Sequence, residues 1–193
     1  RREWRAPAEQ GVEIQTRRGE ALSVDDAGQV HTLYASTVDR FLWGRRYLTP
    51  AFFADVLGRF RQHLELVEAR VGDRVIAGAF NVVSATHLYG RYWGCVEARP
   101  FLHFNVCYYH SIAECIHRGV KVFEGGAGGD HKLARGFEPA VTGSAHWVFH
   151  PGLFRAIGEF VGREREAVLS ELPALAEASG LCRPSAVGRD RME

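Results

Sequence analysis

The amino-acid sequence predicts a mixed α/β (α+β) domain in which helices flank a twisted, mostly antiparallel β-sheet. Two periodicities indicate this class: apolar residues recur at helical spacing in several segments, and a central stretch alternates with the period of two typical of strands. The composition agrees, since 46% of the 193 residues are hydrophobic and 24% are charged. Such a chain is long enough to bury one sizeable core.

The first third of the chain predicts one strand and two helices. Residues 1–20 are polar and contain a short strand-like run, VEIQTR, whereas residues 31–43 place apolar groups at helical spacing. Thr49 is a good N-cap, and Pro50 suits the first position of a helix. Together with the apolar face that follows, they predict a helix over about 50–64.

Three antiparallel strands are predicted between Leu64 and Ala98, joined by a turn at Gly72-Asp73 and by residues 84–86. Alternation along the third strand predicts two opposite sets of residues: Tyr89, Arg91, Trp93 and Cys95 on one face, and Leu88, Gly90, Tyr92 and Gly94 on the other. The two glycines flanking Tyr92 indicate either that another group approaches this strand face closely or that the strand contains a bulge or tight packing.

The second half predicts helices, one short buried strand and two further strand pieces. A helix over about 101–119 ends at a natural glycine C-cap. The run VKVFE (120–124) predicts the buried strand, DHKLARGF one or two helical turns, and AVTGSAHWVFH (140–150) two strand pieces. A final helix covers about 152–178.

The domain organisation and several excluded classes follow from length, charge and cysteine spacing. We expect a single domain over residues 1–178 with a flexible tail at 179–193. The chain opens on Arg1 rather than on methionine, and we expect it to be a piece of a longer protein. A net charge of +1 gives no field that attracts DNA, and no apolar run approaches the roughly 20 residues that span a bilayer. Four cysteines without a CxxC pair favour free thiols and a cytoplasmic location.

The segment EGGAGGDHKLARGF, from Glu124 to Phe137, carries the strongest chemical signal. It lacks the Gly-Lys-Ser/Thr ending of a P-loop, because His131 precedes Lys132. Its glycine spacing and the antiparallel strands before it do not match a dinucleotide-binding turn. Asp130 and His131 are adjacent and cannot face one ion from a helix, so we expect no metal site.

The remaining interpretation uses the backbone of this glycine run. Positive φ angles expose bare amides, which can hold a carboxylate, a phosphate or a developing oxyanion. Lys132 and Arg135 lie three residues apart, and thus on one face of a helical turn, where they can bind an anion together. The alternative is a sharp strand-to-helix connection followed by a solvated basic turn.

Three stretches carry a resemblance to a known family: LYGRYWG (88–94), LHFNVCYYHSI (102–112), and EGGAGGDHKLARGFEP with TGSAHW (124–147). They resemble the FemAB-like family of bacterial proteins, described as peptidoglycan biosynthesis or recognition proteins of the GNAT superfamily of N-acyltransferases. The resemblance covers most of residues 31–165. It implies a GNAT-like fold that forms the C-terminal lobe of a longer protein with a second GNAT-like lobe.

The resemblance also implies an activity like that of the Fem aminoacyltransferases, which add amino acids to peptidoglycan precursors from aminoacyl-tRNA. We therefore expect transfer of an aminoacyl or other acyl group to an amine of a small molecule or peptide, in cell-wall precursor metabolism. The donor would be aminoacyl-tRNA or acyl-CoA, and no cofactor is certain. The alternatives are a non-catalytic recognition domain and an acetyl-CoA-dependent N-acetyltransferase.

Some positions depart from the family pattern and leave open whether catalysis is retained. Asn105 stands where the family usually has Glu, and His110 and Gly128 stand where it has Gln. GNAT acetyltransferases hold the CoA pyrophosphate with a glycine-containing loop after the fourth strand. The corresponding stretch here, CVEARPFLHFNVCYY, contains no glycine, which favours a donor other than acetyl-CoA.

Acyl transfer to an amine needs a base, donors for the oxyanion and an acid for the leaving group. The catalytic candidates are Glu124 as base, Lys132 as oxyanion or phosphate partner, and His103 as anion binder or proton relay. Their structural alternatives are an ion pair, a solvated charge and a helix-start packing residue. The substrate-binding candidates are Tyr89, Arg91, Tyr92, Trp93, Tyr109, His110, Gly126, Gly128, Gly129, His131 and Arg135.

Overall fold

The computed structural model describes residues 2–42, 44–126 and 129–179. Cα packing divides the chain into two compact units, residues 1–127 and residues 128–193. The predicted tail lies, from residue 180 onward, outside the described residues.

The first unit is built on a five-stranded sheet in the order β1-β2-β3-β4-β5. Its first pairings are antiparallel, and β5 joins β4 in parallel at the edge. The strands are β1 Glu13–Arg18, β2 Leu64–Val71, β3 Arg74–Val83, β4 His87–Cys95 and β5 Val122–Glu124. This topology confirms the mixed fold with a mostly antiparallel sheet.

The helices of this unit are α1 Arg2–Glu9, α2 Ala27–Val38, α3 Pro50–Arg59, α4 Leu102–Phe104 and α5 His110–Arg118, with a π-helical turn at Asn105–Tyr109 and 3₁₀ turns at Gly19–Ala21, Val24–Asp26 and Arg61–His63. The predicted cap of α3 is confirmed, because Thr49 Oγ1 accepts the backbone N–H of Phe52 at 3.2 Å. Gly119 ends α5 with a φ of 71°, a left-handed conformation that glycine adopts without steric cost.

Both faces of the sheet are buried under helices. On the front face, as we call it, Leu66 and Phe80 pack with Phe53 of α3. On the opposite back face, Val67 packs with Val106 of the π-helical turn. The strands that lie between these two layers therefore have apolar residues on both sides, which explains the nearly continuous burial of β2 and β3.

A bulge at Arg91 changes the facing that alternation predicts for β4. Consecutive residues of β3 pair with Tyr92 and Gly90, so Arg91 is an inserted residue. Tyr89 therefore lies on the front face with Tyr92, whereas Trp93 belongs to the back face. The predicted grouping of Tyr89 with Trp93 is wrong, because an inserted residue reverses the alternation beyond it.

Other expectations are corrected by tertiary context. Residues 2–9 form α1, a helix that the polar first twenty residues did not predict, and residues 137–148 form no strand. The predicted buried strand is the exposed edge strand β5, in which Val122 and Glu124 face solvent. The glycine segment therefore follows an edge strand rather than a buried one.

Two fully buried glutamates of β2 are neutralised by basic neighbours. Glu68 accepts hydrogen bonds from four side chains at 2.8–3.1 Å, namely those of Gln15, Arg17, Gln29 and Arg70. Glu65 Oε2 lies 2.9 Å from an Arg118 nitrogen, although the orientation of the two atoms is not that of a hydrogen bond. Asn81 donates to the other oxygen of Glu65 at 3.3 Å.

The second unit contains a 3₁₀ helix at Asp130–Arg135 and the long helix α6, Pro151–Ala178. His150 Nδ1 accepts the backbone N–H of Leu153 at 3.2 Å, which caps α6. Across the residues that the structure describes, no helix is long and apolar enough to cross a membrane. In that same part of the chain, no group of three or more His, Cys, Asp or Glu side chains could hold a metal ion.

Candidate functional site

The parallel pairing between β4 and β5 is short and ends where the glycine segment begins. His87–Tyr89 pair with Val122–Glu124, after which β5 stops. We call this junction the β4–β5 fork. It sets Glu124 opposite Tyr89 and exposes one edge of the rest of β4 to other groups.

Glycines line both sides of the fork. A Cβ atom added at Gly90 would lie 3.4 Å from the carbonyl oxygen of Glu124, and one added at Gly126 would lie 3.7 Å from the carbonyl oxygen of Gly90. Gly126 has a φ of +81°, which side-chain-bearing residues rarely adopt. At Gly94 the approaching group is α2, because a Cβ there would lie 1.9 Å from the carbonyl oxygen of Leu33.

Three of the predicted site residues lie together on the front face of the fork. Tyr89 and Tyr92 share this face, and Glu124 joins them because residues paired in a parallel ladder point to the same side. The guanidinium carbon of Arg91 lies 5.4 Å from the centroid of the Tyr89 ring. Glu124 is exposed, so the buried setting from which its role as a base was inferred is absent.

Tyr92 belongs to a tyrosine cluster with Tyr34 and Tyr47, two residues that the sequence did not single out. The ring of Tyr34 lies 5.2 Å from that of Tyr92 and 6.1 Å from that of Tyr47, nearly perpendicular to both. Burial raises the pKa of Tyr92 from 10.0 to about 12, and a hydrogen bond with Tyr47 contributes to the shift. Tyr92 therefore keeps its proton at neutral pH.

Side chains of α2 occupy the edge of β4 beyond the fork. Thr37 Oγ1 donates to the carbonyl oxygen of Trp93 at 2.6 Å, and Ser36 Oγ accepts the backbone N–H of Cys95 at 2.9 Å. Arg40 donates to the carbonyl oxygen of Cys95 at 2.8 Å. The N–H of Cys95 is already bonded, so it cannot at the same time donate to a ligand that adds to the strand edge.

His103 lies on the back face of the sheet, in α4. Its ring centroid lies 5.1 Å from that of Trp93 and 5.4 Å from those of Phe104 and Tyr108. Trp93 is part of β4 beyond the fork. The structure therefore places the predicted residues of the first unit on both sides of the sheet, with Glu124 in front and His103 behind.

Tyr109 and His110 point to other parts of the first unit. Tyr109 donates to a carboxylate oxygen of Glu3 in α1 at 2.6 Å. His110 Nε2 is hydrogen-bonded to Thr16 Oγ1 at 2.8 Å, and Thr16 lies on β1, the edge of the sheet opposite β5. Burial lowers the pKa of His110, so this imidazole is neutral at physiological pH.

The second unit carries the remaining candidates. Gly129 has a φ of +89°, and a Cβ atom there would lie 2.5 Å from the His131 ring. The backbone N–H of Lys132 donates to the carbonyl oxygen of Gly129 at 3.0 Å, and Arg135 donates to that of His131 at 2.7 Å. Residues three apart stack along a 3₁₀ helix, so Lys132 and Arg135 lie on one side of it. Gly128 lies outside the described residues.

The forked and bulged sheet, with its crossover through α4 and α5, defines an N-acyltransferase fold of the GNAT class. A possible acetyltransferase from Clostridium difficile 630 matches with a TM-score of 0.54 and 11% identity, over 72% of this chain and 99% of its own. An aminoglycoside acetyltransferase from an uncultured soil metagenomic sample, solved with sisomicin, matches with a TM-score of 0.50 and 12% identity, over 73% and 97%. Identities this low show the fold alone.

The chain belongs to the FemAB-like family, described as peptidoglycan biosynthesis/recognition, whose model matches residues 1–181. This match confirms the resemblance that the sequence motifs carry. No curated protein sequence matches the chain significantly.

Proposed function

We propose that this protein is an N-acyltransferase of the Fem type, which moves an aminoacyl or other acyl group to an amine in cell-wall precursor metabolism. The observation that carries the proposal is the fork, where the Glu124 carboxylate ends β5 opposite Tyr89 and beside bare glycine backbone. A second GNAT-like lobe in the full-length protein and a cytoplasmic location belong to the same proposal.

In this proposal the amine acceptor binds on the front face of the fork. The exposed carboxylate of Glu124 attracts the ammonium group and removes its proton, after which the amine nitrogen attacks the acyl carbon. Tyr89 and Tyr92 present ring faces and phenol oxygens, which favour an ammonium through cation–π and hydrogen-bonding contacts. Arg91 would complete the acceptor groove, whereas Trp93, predicted as a groove residue, lies on the back face of the sheet and away from it.

The glycine run and the basic 3₁₀ turn are proposed to act on the acyl donor. Lys132 would stabilise the oxyanion of the tetrahedral intermediate or an anionic group of the donor, with His131 and Arg135 as supporting contacts. Gly126, Gly128 and Gly129 would let the donor approach the backbone closely, because glycine carries no side chain. In this proposal the leaving group departs through the open end of the fork toward the back face, where His103 relays a proton to it.

The proposed donor is aminoacyl-tRNA rather than acetyl-CoA. The connection between β4 and α4, residues 96–101, contains no glycine and thus lacks the flexible backbone that wraps a pyrophosphate. Ser36 Oγ accepts the N–H of Cys95, so this donor of the adjacent strand edge does not serve an amide-bearing donor arm. An aminoacyl ester needs neither feature.

Lys132→Ala and Glu124→Gln test the assignment, with Lys121→Ala as the matched control for loss of one exposed charge. Transfer of a labelled aminoacyl group from aminoacyl-tRNA to peptidoglycan precursor peptides is measured for each variant. We expect Lys132→Ala to lower the rate by about 10²–10³-fold and Glu124→Gln to lower it at neutral pH, while Lys121→Ala stays at the parent rate. Full activity of Lys132→Ala would end the oxyanion assignment.

A second candidate function is a non-catalytic recognition domain of the same family. It is favoured by the exposure of Glu124, because a solvated carboxylate is a weak base for an ammonium ion. The same experiment separates the two functions. Saturable binding of precursor peptide without turnover by the parent protein would establish recognition in place of transfer.

A further inference from the structure

Phe101 starts the helical segment that carries His103, and its backbone is in the left-handed region. Its φ is 61°, and it is the one non-glycine residue with positive φ among the residues described. For a bulky residue this conformation costs about 1–3 kcal/mol and persists only where the surrounding contacts hold it. The π-helical turn at Asn105–Tyr109 follows directly, and such turns are uncommon and frequent at functional sites.

The side chain of Asn105 holds this strained start. Its Nδ2 group donates to the carbonyl oxygen of Phe101 at 3.0 Å and to the carbonyl oxygen of Glu3 at 2.7 Å. The backbone N–H of Asn105 donates to the same Phe101 oxygen at 3.1 Å. Asn105 is 4% exposed, so water has little access to replace these bonds.

Helix α1 and the residue after it also contact the start of α4. The guanidinium carbon of Arg2 lies 5.7 Å from the centroid of the Phe101 ring. The amide of Gln10 donates to the carbonyl oxygen of Ala6 at 2.7 Å and to that of Pro100 at 3.3 Å. Two side-chain amides therefore join α1 to this loop, but only that of Asn105 bonds the strained residue itself.

His103 lies between Phe101 and Asn105 in the chain, so the direction in which α4 starts decides where its imidazole lies. We propose that Asn105 is a positioning residue: by holding Phe101 in the left-handed conformation, it keeps the His103 ring against Trp93. The inference rests on the proposed acyl transfer, in which His103 relays a proton. A carboxylate at position 105 has no N–H group, so it could not donate to the carbonyl oxygens of Phe101 and Glu3.

The test replaces Asn105 by Leu, which has a similar shape and no donor, with Gln10→Leu as the matched control. The primary measurement is the Cε1–H resonance of His103 in the full chain, assigned with His103→Gln, because a ring beside Trp93 has a large ring-current shift. We expect Asn105→Leu to lose this shift while the remaining spectrum stays folded, and Gln10→Leu to keep it. The transfer rate kcat falls by about 10²-fold in Asn105→Leu, with KM nearly unchanged.

A second variant distinguishes the loss of His103 positioning from simple unfolding. Phe101→Asn lowers the cost of the left-handed conformation, since asparagine tolerates it. In the Asn105→Leu background it restores the His103 shift and part of kcat. An unmoved His103 resonance in Asn105→Leu, or a moved resonance with full kcat, overturns the proposal. If the parent protein transfers no acyl group, the proposed function fails, and the resonance alone still decides whether Asn105 positions His103.

Discussion

Glu68 is a fully buried carboxylate whose charge is balanced by hydrogen bonds. Burial by itself would raise its pKa, but the bonds from Gln15, Gln29 and Arg17 outweigh burial and hold the pKa of Glu68 below its usual value of 4.5. Arg17 also bonds Asp26 at 2.7 Å. The network therefore links β1, β2 and the turn before α2 through one side chain.

We predict that Glu68→Gln lowers the free energy of unfolding by about 2 kcal/mol, because it leaves the half-buried guanidinium groups of Arg17 and Arg70 without this anion. A carboxylate whose pKa is lower in the folded than in the unfolded chain stabilises the fold at any pH above the unfolded-chain pKa. This stability is lost as the pH falls through the folded-state pKa. Urea titrations should therefore show a loss of unfolding free energy below pH 4.5 in the parent and a flatter pH profile in the variant.

The control is Glu20→Gln, at an exposed pair with Arg61, which should change stability by less than about 1 kcal/mol. Equal losses in both variants would contradict this account.

The tyrosine cluster gives a second prediction at the residue scale. Tyr47→Phe removes the hydrogen-bond partner of Tyr92, so the pKa of Tyr92 should fall below about 12 while staying above 10.0, because burial remains. Ultraviolet titration, with Tyr92→Phe subtracted, measures this value. The raised pKa of Tyr92 contributes stability that is fully present below pH 10.0. This contribution is lost as the pH rises through the pKa of Tyr92 in the folded protein. An unchanged titration in Tyr47→Phe would show that burial alone sets the pKa.

At the scale of elements, the contact of α2 with β4 determines which part of the fork is open. The backbone of α2 lies directly over Gly94, whereas Gly90 faces the end of β5 and the glycine run. Hydroxyls of Ser36 and Thr37 bond β4 at the same contact. Both glycines raised the same expectation of close approach in the sequence, yet only the tertiary structure distinguishes a packing glycine from one at the fork.

Gly94→Ala and Gly90→Ala form a matched pair that tests this distinction. A Cβ at Gly94 would lie 1.9 Å from the Leu33 carbonyl oxygen, so α2 must move, and we expect destabilisation of about 3 kcal/mol. A Cβ at Gly90 would lie 3.4 Å from its nearest neighbour, and the change should be neutral or stabilising by up to about 1 kcal/mol. Thermal and urea unfolding measure both. Similar stabilities of the two variants would refute the close packing of α2 on β4.

The elements that the sequence predicted well are those with strong local signals. The cap at Thr49, the turn at Gly72-Asp73 and the glycine end of α5 are each set by one or two residues. The facing of Tyr89 was wrong because an inserted residue at Arg91 is visible only in the pairing with β3. Strands in residues 137–148 were wrong because a strand needs a partner, which no local pattern supplies.

At the scale of the whole molecule, the family and the fold could be predicted, but the arrangement of the site could not. The motifs follow one another between residues 88 and 147, and the crossover through α4 and α5 brings β5 beside β4. Residues without a motif, such as Tyr34 and Tyr47, join the front face through packing. Glu124 and His103 lie on different faces of the sheet, a separation that sequence order does not reveal.

The acyl donor is the property of the whole molecule that a single measurement can decide. We predict that the full chain does not bind acetyl-CoA with a micromolar dissociation constant, which would correspond to roughly −8 kcal/mol. A pyrophosphate needs several converging amides, and the connection at residues 96–101 has no glycine and ends in the strained Phe101, whose carbonyl is engaged by Asn105. The N–H of Cys95 in β4 is bonded to Ser36 of α2, so it does not donate to an amide-bearing arm. Isothermal calorimetry with acetyl-CoA, and separately with aminoacyl-tRNA, tests both donors on one preparation. Micromolar binding of acetyl-CoA would show that other residues hold the pyrophosphate and would favour an acetyl-CoA-dependent N-acetyltransferase over the Fem type.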